Sequence, residues 1–398
     1  MAGSMRVPRW LKVTMTSLMI LIGILYLSGG IVFANMIHAD ALTPAPPTPD
    51  NGVYVTAVEQ DTVTLASTEV RDDTMRPGIA GLAWDGGYGQ VAEILKVDDL
   101  AVTRVFQLVD GDPPPLCEGP LTGCDQVDIE SWTFQSDPGD VDLEFDDVMF
   151  TAPLGHMAAW RVGAGEGTVW AIHAHGWRAS RREALRSLGA YHQAGITSLV
   201  IDYRNDEGAP SDPTNLYRFG RSEWEDVEAA VRYAVDSGAR QIVLVGYSTG
   251  AAVHLAFLES SDLSDQVVGA VFDSPNADMA DVVRREAAKR PIPGTTLPVP
   301  RSLTALAMAI ADVRWDIGWN EIDYVERADQ IITAPTLLFH GTEDERVPLD
   351  VSRRFQAKAP DLITLVEVPE ADHVTSWNVD PDAYETTLVA FLESITRN

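Results

Sequence analysis

Residues 241–258 read as a strand, a turn and a helix joined without slack. Gln241-Ile-Val-Leu-Val245 is a continuous, β-branched run of the kind a strand buried on both faces requires, and Ala251 to Leu258 carries no helix breaker. Between them stands Gly246-Tyr247-Ser248-Thr249-Gly250. A passage from strand to helix this tight brings backbone against backbone, where a Cβ at either glycine would collide. The serine between them is lifted clear of the sheet, with its hydroxyl presented at the strand's carboxyl end. Three fixed positions of this kind arise by chance in roughly one chain in seven, so the context carries the reading rather than the pentapeptide alone.

The surrounding pattern repeats strand and helix. Ser180-Arg-Arg-Glu183 has the spacing of a capping box, predicting a helix that closes near Gly195, and Ile196 to Ile201 follows as a buried strand. Glu223 to Val235 places Val227, Ala230, Val231, Ala234 and Val235 at helical spacing with Gly238 as a stop, and Val267 to Phe272 resumes the strands. Such alternation makes an α/β fold, a doubly wound and mostly parallel sheet that binds ligands at the carboxyl ends of its strands.

Two further strand-then-loop patterns supply polar partners for Ser248. Pro335 to Phe339 leads into His340-Gly341-Thr342-Glu343-Asp344-Glu345-Arg346-Val347-Pro348, and Ile363 to Val368 leads into Glu370-Ala371-Asp372-His373-Val374. Asp344 is the expected acid, with Glu343, Glu345 and Asp350 as competitors that read more simply as solvated loop charges. His373 is the expected base. Asp372 ranks below Asp344, because adjacent side chains rarely point at each other. A serine hydroxyl is a poor nucleophile at neutral pH, so a histidine must take its proton and later hand it to the leaving group, while a carboxylate fixes the imidazole tautomer. His175 reads as a prop for its loop and His254 as a packed side chain.

On His175-Gly176-Trp177-Arg178, Asp202 to Asp206, Gly246 to Gly250 and His340-Gly341-x-x-Asp344-x-x-Val347-Pro348, residues from about 145 to 398 resemble the α/β-hydrolase superfamily of serine esterases, lipases and peptidases. The likeness is strongest to a bacterial, membrane-anchored branch with an extra module ahead of the hydrolase. Relatives often carry a second glycine after Gly250, where this chain has Ala251. The resemblance implies an oxyanion hole built from the backbone N–H groups of Thr249 and Trp177. It also implies a cap over the acyl pocket in the insertion at about 275–331, where the alternation breaks into Pro291 to Pro300 and an apolar helix, Ser302 to Ala311; ordinary core packing is the other account. Trp315 and Trp319 fit either a pocket lining or plain packing.

Val13 to Ile37 holds 25 residues without a charge, with Arg6, Arg9 and Lys12 before it and Asp40 after. At 1.5 Å per residue it spans about 37 Å, enough for a hydrocarbon core of roughly 30 Å with some tilt. The basic flank is expected in the cytoplasm and the rest outside. A retained single-pass anchor is favoured over a signal peptide cut at Ala39-Asp-Ala41, because the apolar run is long for the latter, and both readings export the hydrolase. Export suits a disulfide between the two cysteines, Cys117 and Cys124, with free thiols as the alternative.

The chain is therefore expected to divide into a flank and anchor (1–40), a Pro-rich linker (41–51), a small β-rich module (52–145) and the hydrolase (146–398). The module is strongly acidic: residues 41–147 carry 22 Asp and Glu against 4 Lys and Arg. That balance speaks against nucleic acid or anionic lipid headgroups as partners. Asp140 to Asp147 lacks the loop pattern of a calcium site, and no metal or cofactor is expected. The expected activity is cleavage of carboxylic esters, from a small-molecule or lipid-like acyl substrate, through an acyl-enzyme on Ser248. A peptidase or amidase with the same triad and a catalytically silent envelope binding module are the alternatives.

Overall fold

The computed structural model describes residues 8–45, 52–67, 72–163 and 167–397. Arg6 of the basic flank and residues 46–51 of the linker lie outside the described residues. The chain forms two compact units, one of residues 1–43 with 279–321, the other of residues 44–278 with 322–398.

In the larger unit, the acidic segment builds a fully antiparallel six-stranded sheet from β1 (Val53–Glu59), β2 (Thr62–Ser67), β3 (Ala80–Trp84), β4 (Gly87–Asp98), β5 (Ala101–Gly111) and β6 (Asp128–Glu130), in the order β1-β2-β5-β4-β3-β6. Alternating apolar residues, among them Val53, Val55, Val63, Leu65, Leu82, Val91 and Phe106, give it a core of its own. Arg104 is fully buried here, its guanidinium donating to the carbonyls of Ala92 and Gly78 at 2.6–2.8 Å. Cys117 and Cys124 are joined as a disulfide.

The second sheet has eight strands: β7 (Phe145–Ala152), β8 (Gly155–Val162), β9 (Val169–Ala174), β10 (Thr197–Ile201), β11 (Gln241–Tyr247), β12 (Val267–Asp273), β13 (Thr336–Gly341) and β14 (Ile363–Val368). Their order is β14-β13-β12-β11-β9-β10-β8-β7, with β9 to β14 mutually parallel and the β7–β8 hairpin antiparallel at one edge. Val243, Val245 and Tyr247 of β11 meet Leu188, Tyr191, Leu388 and Leu392 of the helices Leu185–Gln193 and Pro381–Thr396. The intervening Ile242 and Leu244, equally buried, turn to the opposite face, which carries the helices Trp224–Asp236 and Thr249–Ser260. Each such fully buried side chain contributes about 1.5–3 kcal/mol. The winding reverses at β9, flanked by β10 and β11, and a reversal of this kind opens a crevice at the strands' carboxyl ends.

The smaller unit pairs the helix Arg9–Ile37 with Arg301–Trp315, which runs alongside it in the same direction. Gly29 and Gly30 make room for Leu303, Leu306 and Ile310: a Cβ on Gly30 would come within 2.8 Å of Leu306. Tyr26 hydrogen-bonds Ser302, Arg314 donates to Asn35 at 2.9 Å, Arg290 pairs with Asp40 at 2.7 Å, and His38 stacks on Trp315 at 4.5 Å. Trp319 donates its indole N–H to Met308 O at 3.0 Å, so both tryptophans are engaged within this unit. Residues 9–28 of the long helix leave large apolar side chains such as Leu18, Met19, Ile24 and Leu25 exposed. By length and composition this helix is able to cross a membrane.

Candidate active site

Ser248 sits between β11 and the helix Thr249–Ser260 with φ 50° and ψ −113°, a backbone conformation that costs an L-residue energy and persists only where its surroundings enforce it. Its N–H donates to Asp273 O at 2.9 Å, and its carbonyl accepts from Asn276 N at 3.0 Å. The close approach that makes the turn possible needs both glycines. A Cβ on Gly246 would lie 2.6 Å from the backbone of Ala251, and one on Gly250 would lie 2.0 Å from Ala174 O. Gly250→Ala is accordingly expected to destabilise the fold by about 2–3 kcal/mol, measured as a fall in melting temperature.

His373 follows β14 and Asp344 follows β13. His373 Nε2 lies 2.9 Å from Ser248 Oγ, and its Nδ1 lies 2.8 Å from Asp344 Oδ2. The other oxygen of Asp344 accepts from the backbone N–H groups of Arg346 (2.9 Å) and Val347 (2.7 Å), which locks the carboxylate's orientation. Burial alone would raise its pKa, but the imidazoles of His373 and His340 hold it well below the usual carboxylate range. The competing acids point elsewhere. Asp372 accepts from Glu345 N and pairs with Arg76, and Asp350 pairs with Arg354.

The loop after β9 closes the other side of Ser248: a Cβ on Gly176 would stand 3.2 Å from that of the serine. Trp177 follows directly, with Arg178 over its ring at 4.2 Å. Gly176 N donates to Glu183 Oε2 at 2.6 Å. This corrects the capping-box reading of Ser180 to Glu183. Ser180 makes no side-chain cap, a short 3-10 turn precedes the helix, and the glutamate supports the loop instead of the helix end. His175 is buried against Tyr203, with Nε2 2.9 Å from Asp206 Oδ2 and Nδ1 2.9 Å from Gly176 O.

The geometry agrees with an independent comparison: residues 171–387 match the family model described as alpha/beta hydrolase family. The chain belongs to that family. Residues 54–120 of this hydrolase match a second model, described as Domain of unknown function (DUF8805). Among solved structures, two of the Pyrococcus furiosus esterase Pf2001 are similar to it. One shares 21% identity over 66% of this chain and 95% of that one at a TM-score of 0.52, the other 20% over 66% and 96% at 0.50. A thermophilic esterase from Thermogutta terrifontis shares 18% over 63% of this chain and 99% of that one, at 0.46. At these identities the likeness to the two Pyrococcus furiosus structures shows the fold alone. No curated protein matches the hydrolase.

Other polar groups of the hydrolase's larger unit are explained by packing. His175, Asp202 and Asp206 present possible ligand atoms within 4.8 Å of one another. Both ring nitrogens of His175 are already engaged, Nδ1 facing Gly176 O and Nε2 facing Asp206 Oδ2, which suits an imidazolium rather than a metal ligand. Burial lowers its pKa, but Asp206 outweighs that and raises it to about 9, while Asp202 pairs with Arg181 at 3.1 Å. The group is an ion-pair cluster that props the loop. Since the folded-state pKa lies above the usual 6.5, the stabilisation is complete below about pH 6.5 and is lost as pH rises through about 9. The gap in melting temperature between wild type and His175→Gln is expected to narrow over that window. His173 lies 3.0 Å from Ser198, but both are sealed within β9 and β10, and burial drives the imidazole's pKa down to about 3. His254 donates its Nε2–H to Val245 O at 3.0 Å, within the sheet layer.

His340 belongs to the motif that carries the resemblance, but the sequence assigned it no role. It is fully buried, bonded to Ser352 Oγ (2.7 Å) and Val347 O (3.0 Å), and 3.3 Å from Asp344 Oδ2, so it braces the acid from behind. The available signal was a histidine in an otherwise apolar strand just ahead of the acid's loop.

Proposed function

We propose that this chain is a membrane-tethered serine hydrolase, its catalytic part outside the cytoplasm, that cleaves carboxylic esters through an acyl-enzyme on Ser248. The observation that carries this reading is the unbroken hydrogen-bonded run from Ser248 Oγ through His373 to Asp344, at 2.9 and 2.8 Å. Asp344 accepts the Nδ1 proton of His373, which leaves the Nε2 lone pair for the serine hydroxyl. Ser248 Oγ attacks the ester carbonyl carbon as its proton passes to His373, and the N–H groups of Thr249 and Trp177 receive the oxyanion. Collapse breaks the bond to the alcohol oxygen, which takes the proton from His373. Water then attacks the acyl-enzyme, giving its proton to His373; the acid departs, and the proton returns to Ser248.

The esterase activity named for the Pyrococcus furiosus relative supports an ester over an amide substrate. The helix Arg9–Ile37, with Arg9 and Lys12 at its start, supports a single crossing with the basic end inside. Its packing against Arg301–Trp315 supports a retained anchor over a cleaved signal. In this reading the chain runs as anchor, linker, acidic module and hydrolase.

The test uses the full chain in detergent. A fluorophosphonate probe is expected to label wild type and not Ser248→Ala, and short-chain, long-chain and thioester substrates are expected to turn over faster than aminoacyl amides. Labelling that survives Ser248→Ala removes the nucleophile assignment, and faster amide turnover replaces the esterase reading with an amidase.

A further inference from the structure

The loop carrying His373 is gripped from outside the hydrolase sheet. Val374, the next residue, has φ 53°, a left-handed conformation that is an outlier for a β-branched side chain. Strain of this kind survives only when neighbours over-determine it. Two contacts hold that peptide: its N–H donates to Ser274 Oγ at 3.0 Å, and its carbonyl accepts from Arg186 Nη1 at 2.7 Å. The same guanidinium nitrogen donates to Asn378 Oδ1 at 2.7 Å and to Ser131 O at 3.3 Å, and Ser131 directly follows β6 of the six-stranded sheet.

Asn378 completes the connection. Only 2% exposed, it directs its Nδ2 to Ile79 O (2.6 Å), Ser131 O (2.8 Å) and Thr133 Oγ1 (3.1 Å), while its own carbonyl accepts from Ile79 N at 2.8 Å. Every one of those partners belongs to the acidic module. The fit is close at the backbone as well, since a Cβ on Gly78 would lie 2.0 Å from Asn378 O. Arg76 of the module also pairs with Asp372, the residue before His373, at 3.6 Å. The module thus touches both chain neighbours of the imidazole's loop, one directly and one through Arg186.

We propose that the six-stranded module serves the active site as a positioning element, fixing the turn at Val374 through Asn378 and Arg186 and thereby holding His373 between Ser248 and Asp344. This rests on the reading of His373 as the general base. Asn378 and Arg186 are positioning residues: neither touches the reacting atoms.

The experiment compares full-length wild type, Asn378→Ala and Asn378→Asp. The aspartate keeps the size and the acceptor for Arg186 but turns oxygen toward the module's carbonyls. Fluorophosphonate labelling carried to completion counts competent sites, and kcat and KM are measured per labelled site on p-nitrophenyl butyrate. A shift of about 1 Å in a catalytic group costs on the order of 100-fold. The expected result is a fall of roughly 30–100-fold in kcat per site for Asn378→Ala, with KM changed by less than about threefold and the site count preserved. A loss of sites in proportion to activity, with kcat per site intact, overturns the proposal, as does failure of both variants to fold, which would make Asn378 general scaffold. Ser248→Ala runs alongside. If it still labels, the catalytic reading itself fails, whereas a silent Asn378→Ala beside an unlabelled Ser248→Ala removes only the role of the module.

Discussion

Ser248→Ala is expected to lower kcat on an activated aryl ester by about 10⁶-fold, leaving roughly 10³–10⁴-fold over the reaction in water. The residue is not general scaffolding. Its side chain takes no part in holding the turn, which is fixed by Ser248 N to Asp273 O, by Asn276 N to Ser248 O and by the two glycines. Alanine removes one oxygen from an intact site, so the melting temperature should stay close to wild type while turnover collapses. On the proposed reading the remainder comes from the N–H groups of Thr249 and Trp177, which would act on any bound carbonyl regardless of what attacks it. Measurement needs enzyme free of wild type, and pre-labelling with the phosphonate removes any trace.

Asp344→Asn is the second large effect, about 10⁴-fold in kcat. Asparagine preserves the acceptor that takes the Arg346 and Val347 N–H groups at 2.9 and 2.7 Å, so the loop keeps its shape. Its amide, however, places a donor against His373 Nδ1, which forces the imidazole proton onto Nε2 and sets a donor, where a lone pair is needed, opposite Ser248. Asp372→Asn serves as the control. Asp372 points to Arg76 and Glu345 N rather than to the imidazole, so this change is expected to cost far less in kcat than Asp344→Asn. Equal losses from the two substitutions would break the assignment of the acid.

How much of this was legible varied with the kind of signal. Ser248, Asp344 and His373 stand after apolar runs whose period marks them as buried strands, so their place at one edge of the sheet follows from local pattern. Glu183 was misread because Ser-x-x-Glu describes a helix cap and a loop brace equally well, and only the neighbouring Gly176 N decides between them. β3 gave no signal: Ala80-Gly-Leu-Ala-Trp84 has no β-branched residues, and it is a strand by its pairing with β4 and β6, where Gly81 leaves room for Tyr88. Asn378 was invisible for a different reason. Its partners lie some 250 to 300 positions earlier in the chain, and no local pattern encodes a contact of that range. The pairing of Tyr26 to His38 with Ser302 to Trp315 escaped for the same reason.

That last pairing has a bearing on biosynthesis. Gly30 is made 276 residues before Leu306, and at about 5–20 residues per second the groove around it waits roughly 14–55 s for its occupant. If the helix Arg9–Ile37 is the anchor proposed above, lipid or the insertion machinery covers the apolar stripe at Gly29 and Gly30 during that interval. In the membrane-tethered arrangement proposed above, the segment Arg301–Trp315 then has to displace that shield, and this pairing completes at the bilayer.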